Sequence, residues 1–289
     1  MSNPHLPPEL LDHIVDHLHD TKHALRNCCL VSKSWILRTR KHLFAVIVFL
    51  TSEGLQSWKE TFPDPSTSPA HYAKTLYVSS SEVVTAAGVE ADGRIRDFSH
   101  VEHLELGTHG MSFDFGGPAT PLVPFHGLSP AIKSLCVAVH ALPLSQIFNL
   151  LLSFPLLEDL TVAVCDEMTA DDSDGSGEDP MPSAAQPSAP LMLTGSFDLY
   201  LEGGMKPFTR RLLSLSGGIH FRKLTLAWTH EGDPSLVMAL VEGCSHTLES
   251  LNIACHLGKF VQYPRPHRHL LLFLDQSGPV SCTVSTKNK

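Results

Sequence analysis

The sequence predicts an α/β chain in two unlike parts: a short N-terminal helical module, then an irregular stack of repeating strand-and-helix units. Two observations carry this. The first 45 residues or so place apolar side chains at helical spacing. The remainder repeats a short strand signature, x-x-Leu-x-(Leu/Val/Ile), whose first leucines are mostly 25 to 31 residues apart.

The helical part opens at Leu6-Pro7-Pro8-Glu9-Leu10-Leu11. Proline in a first helical turn forfeits no hydrogen bond, because the N–H groups there have no partner within the helix. Glu9 suits the positive end of the helix dipole. Leu10, Ile14 and Leu18 fall at i, i+4 and i+8, and Leu11 and Val15 widen the stripe, so this face is expected to meet the core. Asp12, Asp16 and His19 are expected on the wet side. Asp20 or Thr21 is placed to cap a second helix with Leu25, Cys28 and Cys29, and Ser32 a third with Trp35, Thr39 and Leu43. Lys33, Arg38, Arg40 and Lys41 crowd the third helix. Three short helices make a small core, and such modules usually need a staple, a metal or a partner. The expectation is a module completed by docking, with leftover apolar side chains as the contact.

The runs LPPELLDHIVDHL (6–18) and ALRNCCLVSKSW (24–35), followed by a basic stretch up to His42-Leu43-Phe44, resemble an F-box, most closely those of the large fungal receptor families. The likeness covers about residues 5–45. It implies a module, 1–48, that binds a Skp-type adaptor and through it cullin and RING subunits. On this likeness Leu6, Pro7, Leu10, Ile14, Leu18, Leu30, Val31 and Trp35 build the F-box and its adaptor face. Sequence does not sort those that touch the adaptor from those that hold the helices together.

The strand signature begins at Leu76, Leu104, Leu135, Leu160, Leu199, Leu224 and Leu251, with gaps of 28, 31, 25, 39, 25 and 27 residues. Within each strand the leucine and the residue two further on are expected to point inward. Helices are expected over Leu144–Phe154, Phe208–Leu215 and Ser235–Cys244. The period is close to that of leucine-rich repeats, and stacked units of this kind expose an extended strand face suited to binding. The asparagine ladder of regular repeats is missing, so the turns must be satisfied another way. F-box proteins often carry irregular leucine-rich repeats, and VEGCSHTLESLNIAC (241–255) resembles a late repeat of such a receptor. The repeat domain is expected over 70–262, after a Pro- and Ser-rich break at 63–69. After about Val261 the rhythm fades into an atypical segment, 263–289, without an evident polar cap.

The longest gap holds an insert, 166–190, rich in Asp, Ser, Gly, Pro and Ala, which is expected to be disordered. It carries seven acids and no base, against a net charge of −9 for the chain, so everything outside it sums to only −2. That balance speaks against nucleic acid as a partner. No apolar run approaches the roughly 20 residues of a membrane helix, and the N-terminus lacks a signal-peptide pattern, so an intracellular place, cytoplasmic or nuclear, is expected. Seven cysteines, an odd number with no C-x-x-C, read as small buried hydrophobes.

No catalytic pattern emerges. His13 and His17 stand at i, i+4, but the Glu of H-E-x-x-H is absent. Asp172-Ser-Asp174-Gly-Ser176-Gly177 starts like a calcium loop, yet its twelfth position is Ser183. No G-x-S-x-G elbow, P-loop or G-x-G-x-x-G occurs. The reading is therefore a non-enzymatic chain without cofactor or metal: a substrate-recognition subunit of an SCF-type ubiquitin ligase, whose repeats bind a target protein. The alternative is a leucine-rich-repeat interaction scaffold without ligase function; a hydrolase or metal enzyme on an α/β fold is the remaining class.

Overall fold

The computed structural model describes residues 7–78, 94–107, 125, 128–139, 144–164, 191–201, 205–229, 234–256 and 280–285. The insert expected at 166–190 lies outside them, as does Leu6.

Helix α1 (Pro8–His17) begins with proline at its first position and has Glu9 in its first turn. Helix α2 (Lys22–Val31) follows Thr21, which makes no side-chain capping bond, so neither expected cap acts there. Helix α3 (Lys33–Leu43) is capped by Ser32, whose hydroxyl accepts from the Ser34 N–H at 3.3 Å. Both α1 and α2 pack against α3. The module buries Val15, Leu25, Cys28 and Thr39. Leu11 and Leu18 are half-buried. Leu10 and Ile14, expected in the core-facing stripe, are exposed. The inward face of α1 is thus rotated toward Leu11, Val15 and Leu18. Asp16, expected on the wet side, instead bridges two helices. Its carboxylate accepts from Arg38 Nε at 2.7 Å, from Arg38 Nη2, and from His42 Nε2 at 2.7 Å.

Strand β1 (Val46–Phe49) opens the sheet and crosses the boundary expected at residue 48, and α4 (Ser52–Thr61), capped by Thr51, fills the interval before the expected repeat domain. The 63–69 break is not slack. It forms two short 3₁₀ turns, Pro65–Thr67 and Pro69–Tyr72, and Pro69 and Ala70 are buried. The strands then follow one another: β2 (Thr75–Val78), β3 (His103–Gly107), β4 (Ser134–Val139), β5 (Asp159–Val164), β6 (Ser196–Leu201), β7 (Lys223–Thr229), β8 (Ser250–His256) and β9 (Val280–Ser285). They form one sheet in strict chain order, β1 to β9. The first eight are parallel, and β9 reverses to lie antiparallel on β8, within the segment expected to be atypical. Helices α5 (Leu144–Leu152), α6 (Met205–Leu213) and α7 (Pro234–Gly243) fall within three residues of their expected bounds.

The register makes two continuous apolar rows. One runs Ile47, Leu76, Leu104, Leu135, Leu160, Phe197, Leu224, Leu251; the other, two residues on, runs from Phe49 and Val78 through Leu199 and Leu226 to Ile253. In β6 the first row is filled by Phe197, so Leu199, read as the first leucine of its unit, belongs to the second row. Realigned on Phe197, the last two spacings are both 27 residues. Both rows are buried through β7 and half-buried in β8, the parity expected. Beneath them lie aromatic anchors. Phe197 stacks on Phe221 with ring centroids 5.0 Å apart, and Phe148 of α5 meets Phe208 of α6 at 5.3 Å. At the other end Trp58 of α4 touches Phe44, Phe49, Phe62 and Phe98, which joins module, sheet and turn.

The turns are satisfied without asparagine. The carbonyl of the residue preceding each strand accepts two N–H groups from the next unit. Ala45 O takes Lys74 and Thr75; Lys74 O takes Glu102 and His103; Glu102 O takes Lys133 and Ser134; Lys133 O takes Glu158 and Asp159. Gly195 O and Arg222 O continue the ladder. One rung differs: Glu158 O takes only Gly195 N, while Ser196 N and Oγ donate to Asp159 Oδ1 at 2.6 and 2.8 Å. A Cβ on Gly195 would lie 2.3 Å from that same oxygen, so glycine leaves room for the diverted bond.

Candidate functional site

Two surfaces stand out. The first is on the helical module. Leu10 is 50% exposed, Ile14 43%, Leu30 85% and Val31 69%, and Pro7 is exposed as well. Leu10 and Ile14 share a face of α1, one turn apart, while Leu30 and Val31 end α2 beside the Ser32 cap. Trp35 and Leu18 are half-buried and so lean toward holding the helices together. The eight expected residues thus divide: five lie on the surface, two are half-buried, and Leu6 is outside the described residues. Sequence reasoning missed Leu37, 68% exposed on α3 among the exposed cations Lys33, Arg40 and Lys41. Its signal was available, since those cations stand at −4, +3 and +4 from it. Arg38 is spent internally: its hydrogen bonds, followed by those of His42, hold the Asp16 carboxyl well below the ordinary carboxylate range.

The second surface is the face of the sheet opposite the two apolar rows, most of it half-buried. Its middle row reads Val48, Tyr77, Glu105, Cys136, Thr161, Asp198, Thr225, Asn252, one residue per strand in register. It contains two carboxylates and no cation. Asp198 sits between threonines on both neighbouring strands, and both Thr225 and Thr161 hydrogen-bond its carboxylate. Burial raises its pKa above the ordinary value and the charge of Asp159 adds to this, while the two threonines and Lys223 oppose it. Burial, then Glu105 and Asp198, pushes the Cys136 thiol up, which keeps it a neutral, unreactive group. Burial and Glu105 likewise raise the Tyr77 phenol. The next row reads Gly107, Ala138, Ala163, Tyr200, Ala227 and Ala254, small residues interrupted by one tyrosine.

A third pattern runs along the strand starts. The ladder residues Lys74, Glu102, Lys133 and Glu158 alternate in charge, Gly195 is neutral, and Arg222 and Glu249 resume the alternation. Lys74 Nζ pairs with Glu102, and that bond leads the causes lowering the Glu102 pKa, with Lys133 contributing from the other side.

The rings of His13 and His17 lie 4.8 Å apart, and among the described residues no three His, Cys, Asp or Glu side chains converge as a metal site requires. Among the same residues no helix is long and apolar enough to cross a membrane. No protein-family model matches the chain, and neither a curated protein nor a solved structure matches it.

Proposed function

We propose that this chain is the substrate-recognition subunit of an SCF-type cullin-RING ubiquitin ligase. The helical module acts as an F-box that docks a Skp-type adaptor, and the in-order parallel sheet is an irregular leucine-rich-repeat solenoid that holds a target protein. The observation that carries the reading is the exposure of Leu10, Ile14, Leu30 and Val31 on a module with a very small core. Large aliphatic groups left in water on so small a module are what a docking surface requires. They also coincide with the positions at which the N-terminal sequence resembles an F-box. The receptor supplies proximity, holding lysines of the target near a recruited conjugating enzyme, and no side-chain chemistry.

The test is co-expression with a Skp-type adaptor, followed by size exclusion and titration. The expected result is a stoichiometric complex that is lost on mutating Leu30 and Val31. A folded chain that forms no complex would leave a repeat scaffold without ligase function as the better account.

A further inference from the structure

The first edge of the sheet is bare. Ala45 O accepts from Lys74 and Thr75, so the backbone groups of every second residue from there, Ala45, Ile47 and Phe49, turn toward β2. Those of Val46, Val48 and Leu50 point the other way, and among the described residues they have no hydrogen-bond partner. The three side chains lie on the face opposite the apolar rows and are 39%, 47% and 63% exposed. Exposed edges are normally guarded by lysine, proline or a bulge. From Phe44 to Leu50 there is neither charge nor proline. The far edge differs: β9 reads VSCTVS, with a polar residue at every second position.

An unpaired main chain selects another extended main chain as its partner. Self-complementarity singles out a second copy of this chain. On a two-fold axis through Val48, an antiparallel pair sets Val48 against Val48 of the other copy, and Val46 against Leu50 of the other copy, twice. These are the residues whose backbone groups point outward, so each pair can exchange two main-chain hydrogen bonds while its apolar side chains meet. Charge agrees with this arrangement. It brings the first turn of α4 in one copy, with exposed Glu53, toward the last turn of α3 in the other, with exposed Arg40 and Lys41. The Glu53 N–H and the Thr51 hydroxyl hold the Glu53 carboxyl below its ordinary range, so it stays ionised. Among the described ion pairs none involves Glu53, Arg40 or Lys41.

We propose that two copies of this chain pair edge to edge through β1, antiparallel about Val48, and continue the sheet from one copy into the other. The contact is independent of the adaptor and of any target.

The test is sedimentation equilibrium of the full chain, alone, from about 1 to about 500 µM. The strand edge is small against the roughly 1,200 Å² of a standard interface, so the expected result is a dimer that forms and dissociates within this range. Val48→Lys sets two ammonium groups against each other on the axis and should weaken the dimer about tenfold or more. A second measurement does not depend on that variant. On mild oxidation Val48→Cys should form a covalent dimer well beyond the background set by the native cysteines, because its paired Cα atoms stand about 5.5 Å apart, within disulfide reach. Leu50→Cys should not, since its two copies lie roughly 14 Å apart along the strands. A chain that stays monomeric throughout, oligomers that grow past the dimer, or equal cross-linking at 48 and 50 would overturn the proposal.

Discussion

Leu30 and Val31 give the sharpest separation between docking and folding. With 85% and 69% of their surface in water, neither contributes much to the stability of the free chain. Full burial of such a side chain is worth about 1.5–3 kcal/mol. Scaled by those exposures, covering both under an adaptor yields about 3 kcal/mol, or roughly two orders of magnitude in affinity. The double substitution Leu30→Ser, Val31→Ser should therefore weaken adaptor binding about 100-fold while changing the stability of the free chain by no more than about 1 kcal/mol, the helix-propensity cost at a helix end. Val15→Ala provides the contrast. That side chain is 1% exposed, so its truncation should cost about 2 kcal/mol of stability. Calorimetric titration with the adaptor and thermal melts of the free chain read the two effects. A melting loss for the double variant matching that of Val15→Ala would mean that the pair is packed. Undiminished affinity would place the adaptor elsewhere.

Three further outcomes test the structure. Gly107 has φ +126° and a Cβ there would sit 2.0 Å from the Ala138 carbonyl oxygen, so Gly107→Ala should cost about 3 kcal/mol or more in chemical denaturation; a loss under about 1 kcal/mol would show that β3 and β4 are not so close. Asp16 has its carboxyl pKa depressed in the folded chain, so its contribution is complete above its unfolded value near pH 4 and is lost as pH falls below that. Asp16→Asn should accordingly cost about 1 kcal/mol at neutral pH, given that a third of the side chain is in water, and the gap from wild type should shrink on acidification; a gap that widens in acid contradicts the bridge. Thr209 is fully buried on α6 and its hydroxyl has no hydrogen-bond partner among the described residues, so Thr209→Val should leave the melting temperature unchanged or raise it by a few degrees, whereas a fall would reveal a partner for that hydroxyl.

The strand period was legible because each unit must bury the same two positions, and a two-residue alternation marks them in every strand. It misled only at β6, where an aromatic fills the first row and the search for leucine slid the unit by two residues. The first strand escaped notice as a unit because Ile47 and Phe49 fill its inward positions, with no leucine in either row. Seven strings were read for their leucines, yet their leading letters, in KTLYV, EHLEL, KSLCV, EDLTV, RKLTL and ESLNI, already spelled out the alternating charges. The sorting of the module was not legible: whether Leu10 or Leu11 faces inward depends on how α1 lies on α3. Asp16 looked solvent-facing for the same reason, since its partners are 22 and 26 residues away.

The alternating rungs have a consequence for how such a chain changes length. A ladder of period two carries parity. Removing the unit that starts at Glu102, or duplicating it, would set two like charges side by side, as would either event at Lys133 and a duplication at Arg222. The rung at Gly195 is neutral and stands between Glu158 and Arg222. Deleting it would join an acid to a base, and copying it would bring no charge against its own kind. The β6 unit is therefore the place inside the sheet, away from its neutral first rung at Ala45, where a strand can be gained or lost without electrostatic penalty, and the sequence before it carries the long acidic insert.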